Sequence, residues 1–435
     1  MGGSLRDVLL GREPADWDVA TSAPPEAVHG LFPGSSWQNR FGTVTVRGEP
    51  EVQVTTYRSE SGYSDRRRPD AVRWGTSLAE DLERRDFTIN ALAWTPDHPA
   101  PGTGATPIDG RLTDPWGGEA DLRAGVLRAV GDPDRRFEED ALRLLRAVRF
   151  ATRLELRLDH VTELAIRRHA PNAAQLSGER VRDELLAWLR SADPPPSRYL
   201  ALAESLGLLV SILPELAALR GVPQDKALPG DALDHSLRTV DALPPADPIL
   251  RLAGLLHDVG KATTLRDGHF YGHEVVGAEL TAMVLDRLRL PREQAARIIR
   301  IIRQHMFAYD PSWTDAAVRR FVKRVTRPLV DDLFALRRAD TAASGAREPA
   351  HGGLDELARR IATQESAPLD QRALALDGDD LMGELGLDPG PAIGSLLASL
   401  LERVLDDPAL NEREALLRIA RELRDATVIA SRAED

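Results

Sequence analysis

Residues 40–58 carry the alternation of pleated strands. Phe41-Gly42-Thr43-Val44-Thr45-Val46 and Val52-Gln53-Val54-Thr55-Thr56-Tyr57-Arg58 alternate as strands do, and Gly48 and Pro50 between them predict a hairpin. Upstream, Val8, Leu9 and Leu10 look like the apolar turn of a short helix behind Gly2 and Gly3. Residues 59–77 are polar, with Tyr63, Asp65, Arg66, Arg67, Arg68 and Pro69, and predict a charged loop. The Pro- and Gly-rich stretch from Thr95 to Pro107 predicts a surface loop. After Asp114-Pro115-Trp116-Gly117-Gly118 the period becomes helical and stays so. Leu142, Leu144, Leu145 and Val148 form one apolar stripe; at roughly 100° per residue, Arg143, Arg146 and Arg149 fall on the other side. Pro194-Pro195-Pro196 marks a boundary, and residues 199–435 are helical in pattern with breaks near 221–231 and 343–353. The chain is therefore of the α+β class, a small α+β head followed by an all-helical body.

Length changes this picture little: 435 residues imply two or more domains, because single cores seldom grow past roughly 250 residues. No apolar run is long enough for a membrane span, and no secretory signal opens the chain. The chain has no cysteine, which excludes disulfides, thiolate metal sites and a cysteine nucleophile and makes a cytoplasmic location the expectation. A formal charge of −12 argues against a general nucleic-acid coat but leaves room for a local basic groove. Lys226, Lys261 and Lys323 are the only lysines, so the positive charge is almost all arginine, which makes forked contacts with phosphates and base edges.

Two stretches carry candidate chemistry. Gly2 and Gly3 have no Cβ to hold a phosphate off the backbone, and they would sit at the positive end of the first helix. Asp16 and Asp18 are two apart, a spacing that puts both carboxylates on one face of a strand. Paired carboxylates repel unless a cation sits between them, and such oxygen ligands suit Mg²⁺. The second stretch is Leu255-Leu256-His257-Asp258-Val259-Gly260-Lys261. Adjacent His and Asp suit metal binding at a helix kink, and His235, His273, His305 and Asp340 are spread along the same helical region. Imidazoles and carboxylates together suit a divalent transition metal.

The head motifs occur in a fixed order: Gly2-Gly3-x-x-Arg6-Asp7, Asp16-x-Asp18, Arg84-Arg85-Asp86-Phe87-Thr88-x-Asn90-Ala91, Asp114-Pro115-x-Gly117-Gly118, and Arg136-Phe137-x-Glu139-Asp140-x-x-Arg143-x-x-Arg146-Ala147-x-Arg149-Phe150. In that order they resemble the class II CCA-adding tRNA nucleotidyltransferases, whose head the bacterial poly(A) polymerases share. The resemblance runs through residues 1–190. Around 230–345 the chain resembles the HD phosphohydrolase domain.

The resemblance implies a nucleotidyltransferase-type mixed sheet in the head, then an all-α neck, body and HD domain. The expected division is 1–122 head, 123–192 neck with the base-reading motif, 193–229 linker, 230–345 HD domain and 346–435 a tRNA-binding tail. Asp16 and Asp18 would hold the two Mg²⁺ ions, and Gly2, Gly3 and Arg6 the incoming triphosphate. Arg85, Asp86 and Asn90 belong to the motif that holds ribose and phosphates. Asp140 and Arg143 would read the incoming base: Asp accepts from an exocyclic amine and Arg donates to a ring acceptor, an order that C and A share and that G and U reverse. Arg146 and Arg149 would add phosphate and base contacts. The expected substrates are CTP, ATP and the tRNA 3′ end. Arg319, Arg320, Lys323 and Arg324 are candidates for gripping the tRNA elbow. In the HD domain, His235, His257, Asp258 and Asp340 would bind one ion, and His273 and His305 a second. The expected reaction there is hydrolysis of a phosphomonoester or a 2′,3′-cyclic phosphate.

Two departures stand out. The family pattern has a third carboxylate on the strand beside the Asp pair; Gln53 occupies that place, with Glu51 two positions back. Relatives also carry a helix and a strand before the Gly-Gly, so the head sheet is expected to lack its first strand, through a late start codon or a true truncation. These departures favour an HD phosphohydrolase with an inactive head; the other readings are an A-adding enzyme or poly(A) polymerase and a tRNA-binding scaffold. Tyr63-x-Asp65 and Arg68-Pro69 argue against CC-only addition. Replacing Gln53 by Glu should raise the rate of nucleotide addition; an unchanged or lower rate would remove this position from the metal site.

Overall fold

The computed structural model describes all residues except 15, 39–41, 49–50, 62–70, 76, 98–108, 346–351, 365–366 and 434–435. The expected loop features Tyr63, Asp65, Arg66, Arg67, Arg68 and Pro69, and most of the Pro/Gly stretch, lie outside the described residues. The chain forms two compact units. One comprises Met1–Arg220, Pro245–Pro248 and Met283–Leu290; the other comprises Gly221–Pro244, Ile249–Ala282 and Pro291–Asp435.

The first unit opens with α1 (Gly3–Leu9), β1 (Trp17–Thr21), α2 (Pro25–Leu31), β2 (Ser36–Gln38), β3 (Thr43–Val46) and β4 (Val52–Thr56). The sheet order is β1-β4-β3-β2. The predicted hairpin is present: β3 and β4 run antiparallel with Val44 opposite Val54. β1 joins β4 in parallel, and Asp18 is the register partner of Gln53. Val28, Val44 and Val54 bury one face of this sheet, the side that period-two alternation makes apolar.

The predicted loop 59–77 carries a strand pair at its root, and a second pair flanks the predicted loop 95–107. β5 (Arg58–Ser61) pairs antiparallel with β6 (Ala71–Trp74). After α3 (Leu78–Glu83), β7 (Ala93–Pro96) pairs with β8 (Gly110–Thr113). Short runs of three or four residues flanked by polar sequence carry too little periodicity to announce a strand.

Helices follow: α4 (Gly118–Ala124), α5 (Pro133–Glu139), α6 (Leu142–Arg153), α7 (His160–His169), α8 (Gly178–Leu189), α9 (Pro196–Ser205), α10 (Leu209–Ile212) and α11 (Pro214–Ala217). Their starts follow capping chemistry. Asp132 accepts the Asp134 amide with Pro133 in the first turn, and Asp159 accepts that of Thr162. On α6, Leu144, Leu145, Ala147, Val148 and Phe150 are buried and Leu142 only half so. Arg143 is also buried, at 8% exposure, although it falls on the other side of the helix from the apolar stripe.

The second unit is built from α12 (Ala232–Ala242), α13 (Pro248–Leu256), α14 (Lys261–Thr264), α15 (His273–Arg287), α16 (Arg292–Gln304), α17 (Asp315–Val325), α18 (Arg327–Ala343), α19 (Gly352–Ala362), α20 (Gly378–Leu385), α21 (Pro391–Asp406) and α22 (Arg413–Ala433). Some of these helices begin or end in the first unit. A capping box of Asp231 and Asp234 starts α12. Leu381, Leu400, Val404, Leu405 and Leu416 fill a leucine-rich core among the last three helices.

The Asp114-Pro115-Trp116-Gly117-Gly118 motif has a packing explanation. The Asp114 carboxylate accepts the amides of Gly118 at 2.7 Å and Glu119 at 3.0 Å, capping α4. A Cβ on Gly118 would lie 2.1 Å from the Thr88 carbonyl oxygen, so α4 reaches the Arg84–Asn90 segment only with glycine there. Gly117 has φ 73° and open space around it. Gly118→Ala should therefore lower stability by about 3 kcal/mol in urea titration, at the upper end of overpacking costs because the atom met is backbone, and Gly117→Ala by about 1–2 kcal/mol, the left-handed cost alone. Equal costs would refute the packing explanation.

Candidate functional site

The head site begins with a glycine. Gly2 has φ 68°, and a Cβ there would sit 2.3 Å from Arg85 Nη1. Arg85 lies against the bare backbone and donates from Nη1 to the Asn90 carbonyl at 3.0 Å. Burial lowers the Arg85 pKa, an effect that Asp81 opposes. Arg6, on α1, is buried and donates from Nη1 to Asn90 Oδ1 at 2.7 Å. Asn90 Nδ2 donates to Asp86 Oδ1 at 3.0 Å, which also accepts the Phe87 amide at 2.8 Å. The other Asp86 oxygen accepts from Arg146 Nε on α6 at 2.7 Å. Burial alone would raise the Asp86 pKa, but Arg146 and the hydrogen bonds from Asn90 and Arg146 bring it down to about 2. Arg6, Arg146 and Arg149 surround the Phe150 ring, their guanidinium carbons 5.3, 5.0 and 4.6 Å from its centroid.

Only one of the two expected metal-binding aspartates is on the strand. Asp18 belongs to β1, and Asp16 precedes it in an exposed bend, so the shared strand face is corrected. The two carboxyls still interact: burial and then the Asp16 charge push the Asp18 pKa up. A proton or a cation relieves that repulsion. Asp18, Thr43, Thr55, Arg58, Arg84 and Arg85 line a cavity of ≈ 290 Å³. Thr55 and Arg58 were missed as candidates; Thr55 lies two residues from Gln53 on β4, so strand period could have found it.

The neck residues divide among different partners. Asp140 is forked by Arg180 of α8, at 2.9 Å from Nη1 and 2.7 Å from Nη2. Arg143 donates to Glu139 Oε2 at 2.7 Å and to the carbonyls of Arg136 and Arg84 at 2.9 and 2.8 Å. Arg149 binds Glu184 at 2.8 Å. So Gly2, Arg6, Arg85, Asp86, Asn90 and Arg146 come together; Arg143 reaches the same segment through the Arg84 carbonyl, and Asp140 is held by Arg180.

The second cluster lies in the helical unit. His235 comes from α12, His257 and Asp258 from the turn after α13, His273 from the start of α15, His305 from the end of α16 and Asp340 from α18. A Cβ on Gly260 would meet the His273 carbonyl oxygen at 2.1 Å, so this glycine lets α15 approach the turn. His257, His273 and His305 donate from Nδ1 to the carbonyls of Gly254, Phe270 and Ile302 at 2.8, 2.8 and 2.6 Å. A carbonyl only accepts, so Nδ1–H donates and a neutral ring leaves its Nε2 lone pair for a ligand role; burial opposes a charge on His273, but the Asp258 carboxylate raises its pKa above the ordinary value.

Those lone pairs converge on Asp258. Oδ2 lies 3.2 Å from His257 Nε2 and 3.6 Å from His235 Nε2, which is 2.9 Å from Asp340 Oδ1. Oδ1 lies 3.4 Å from His273 Nε2 and 3.9 Å from His305 Nε2. Atoms sharing one ion at about 2.1 Å stand about 3.0–3.4 Å apart; His257 and His273 meet that spacing to Asp258, His235 and His305 stand slightly beyond it, and each side of Asp258 has a group that could hold an ion. His257 Nε2 is buried without a hydrogen-bond partner, as a ligand awaiting a metal would be. Burial and then the His257 charge push His305 down to about 3, and burial chiefly lowers His235, so both rings stay neutral. Lys226 and Lys261 also enter the cluster. Lys261 was visible in the His257–Lys261 motif without a role, whereas Lys226 carried no sequence signal.

Of the expected tRNA-gripping residues, Arg319 is buried, bonding the Leu405 and Asp406 carbonyls at 2.7 and 3.0 Å. It satisfies the end of α21 and is not a surface contact. Arg320 and Lys323 pair with Glu402 at 3.1 and 2.7 Å. Among the described residues no helix is long and apolar enough to cross a membrane.

Residues 1–128 match the poly A polymerase head domain, 155–219 the probable RNA and SrmB-binding site of polymerase A, and 232–344 the HD domain. The chain is 37% identical to an A-adding tRNA nucleotidyltransferase of Deinococcus radiodurans, over 92% of this chain and 90% of that one. It is 31% identical to a CCA-adding enzyme of Lactiplantibacillus plantarum, over 98% and 92%. The crystal structure of the Bacillus stearothermophilus CCA-adding enzyme in complex with CTP superposes with a TM-score of 0.68 at 29% identity, covering 99% of this chain and 93% of that one. Motif order, fold and full-length similarity agree: the chain belongs to the CCA-adding tRNA nucleotidyltransferase and poly(A) polymerase family, with an HD domain after its head in the sequence.

Proposed function

We propose that the head adds CCA to tRNA 3′ ends from CTP and ATP, with Asp16 and Asp18 holding Mg²⁺. The observation that carries this reading is the chain of bonds Arg6–Asn90–Asp86–Arg146. It ties the glycine turn proposed for the triphosphate to the neck helix proposed for the base. Bound at the Asp pair, Mg²⁺ supplies activation of the primer hydroxyl and charge neutralisation for the leaving pyrophosphate. Arg6 and Arg85, each anchored on Asn90, present positive charge beside Gly2 for the triphosphate. Asp86 fixes Arg146 and stays ionised throughout the working pH range. For Asp140 and Arg143 to read a base edge, each exchanges a present partner: the Arg180 fork for Asp140, Glu139 or a carbonyl for Arg143. A base offering an amine and an acceptor in the right order replaces those bonds; G or U would leave them unmatched.

An incorporation assay tests the reading. The protein is given tRNA stripped of CCA, or tRNA ending in CC, with each labelled nucleotide alone and in pairs. CC followed by A is the expected result, and Asp16→Ala/Asp18→Ala should fall to the no-enzyme control. Addition of A alone would favour the activity named in the Deinococcus radiodurans relative, and no addition of any nucleotide would overturn the reading.

The His/Asp cluster supports a metal-dependent phosphohydrolase acting on a phosphomonoester or a 2′,3′-cyclic phosphate. Its Asp258 offers one oxygen to each side. Asp258→Ala should abolish hydrolysis of both substrates and leave nucleotide addition within about twofold of the parent, because sites without shared partners act independently.

A further inference from the structure

The ammonium of Lys226 enters one corner of the His/Asp cluster. Nζ lies 2.9 Å from His235 Nε2 and donates to Asp340 Oδ1 at 3.1 Å. Those two atoms are 2.9 Å apart, so Nζ closes a triangle with them. Nζ is also 3.4 Å from His235 Nδ1, so it sits beside the ring rather than along the Nε2 lone pair, and a divalent ion binding both atoms would stand only about 3 Å from it. Lys261 adds a second ammonium on this side, donating to Asp258 Oδ2 at 2.6 Å. Both lysines therefore bond on the His235/His257 side of Asp258, while its Oδ1 faces His273 and His305. Arg337 approaches the outer oxygen of Asp340 at 3.6 Å.

We propose that Lys226 is a displaceable internal cation that holds the His235/Asp340 corner in the metal-free protein, so that a divalent ion enters this corner only by expelling it. The proposal rests on the reading of the cluster as a metal site. An ammonium and a divalent cation cannot share a corner about 3 Å across, because their repulsion at that range exceeds thermal energy severalfold even at a protein-like dielectric. The lysine has a way out. It sits in the non-helical segment before α12, its side chain is 20% exposed, and it lines an open cavity of ≈ 370 Å³ together with Lys261, Tyr271 and Arg337. A flexible four-carbon stem lets the ammonium swing into that space without moving the backbone. The two sides of Asp258 consequently load unequally: the His273/His305 side first, the Lys226 side second and more weakly. The same ammonium steadies Asp340 and His235 when no ion is present, so the corner keeps its shape without metal.

Two measurements test this. The first uses the unaltered protein: lysine acylation read by mass spectrometry, where Lys226, Lys261 and Lys323 are the only side-chain amines. Saturating Mn²⁺ should raise labelling of Lys226 relative to Lys323 by about threefold or more, as an amine passes from a bonded corner to solvent; an unchanged ratio overturns the proposal. The second is a calorimetric Mn²⁺ titration in an Asp16→Asn/Asp18→Asn background, which removes the head carboxylates. There Lys226→Met should tighten the weaker of two binding events by about tenfold or more, since a resident charge no longer opposes the ion. Equal affinities in both proteins would overturn the role of Lys226 while leaving the metal site standing. No Mn²⁺ binding in either would overturn the metal site and the proposal together. If circular dichroism shows Lys226→Met unfolded, the labelling result on the unaltered protein decides alone.

Discussion

Asp86 is a carboxylate removed from water, and the head is arranged to keep it charged. An unpaired buried charge costs several kcal/mol, so its partners are held wherever the chain supplies them. The Phe87 amide, Asn90 and Arg146 all bond it. Arg146 brings α6 against the segment, and Asn90 passes the constraint to Arg6 on α1. Residues 6, 86–90 and 146 are far apart in the chain and become one rigid group. Gly118 lets α4 press on Thr88 from another side, so the motif is fixed by packing as well as by charge.

The histidine cluster uses a different device. Its rings are oriented by backbone carbonyls three residues before each of His257, His273 and His305. Gly254 and Ile302 lie in the last turns of α13 and α16, where carbonyls run short of intrahelical partners, and Phe270 lies in the segment ahead of α15. The lone pairs of the neutral rings face inward because the other nitrogen is already engaged. Asp258 sits where these directions meet, and lysine ammoniums balance its charge.

Arginine abundance invites a reading of broad nucleic-acid contact, and the fold spends much of it otherwise. Arg319 closes a helix end, Arg180 forks Asp140, and Arg143 binds two carbonyls. A planar guanidinium with five donors suits such internal clamps as well as it suits phosphate. Charge counts therefore overstate the surface available to RNA.

Much of this protein was legible before folding was considered. Period-two alternation predicted β3 and β4 as a hairpin, helical periodicity predicted the body, and the order of short motifs pointed to the family. Local rules suffice there, because alternation and capping act over a few residues. The sequence alone also picked out Asp86, Asn90, Arg6 and Arg146 as members of motifs, and His235, His257, Asp258, His273, His305 and Asp340 as possible ligands. What tertiary structure alone decided is which partner each one meets. Asp16 falls in a bend outside β1, Arg143 turns inward, Arg319 caps a helix, and Lys226 reaches Asp340, 114 residues away in the chain. Long flexible side chains have no preferred direction that periodicity records; burial and the demand that every buried charge be paired choose it for them.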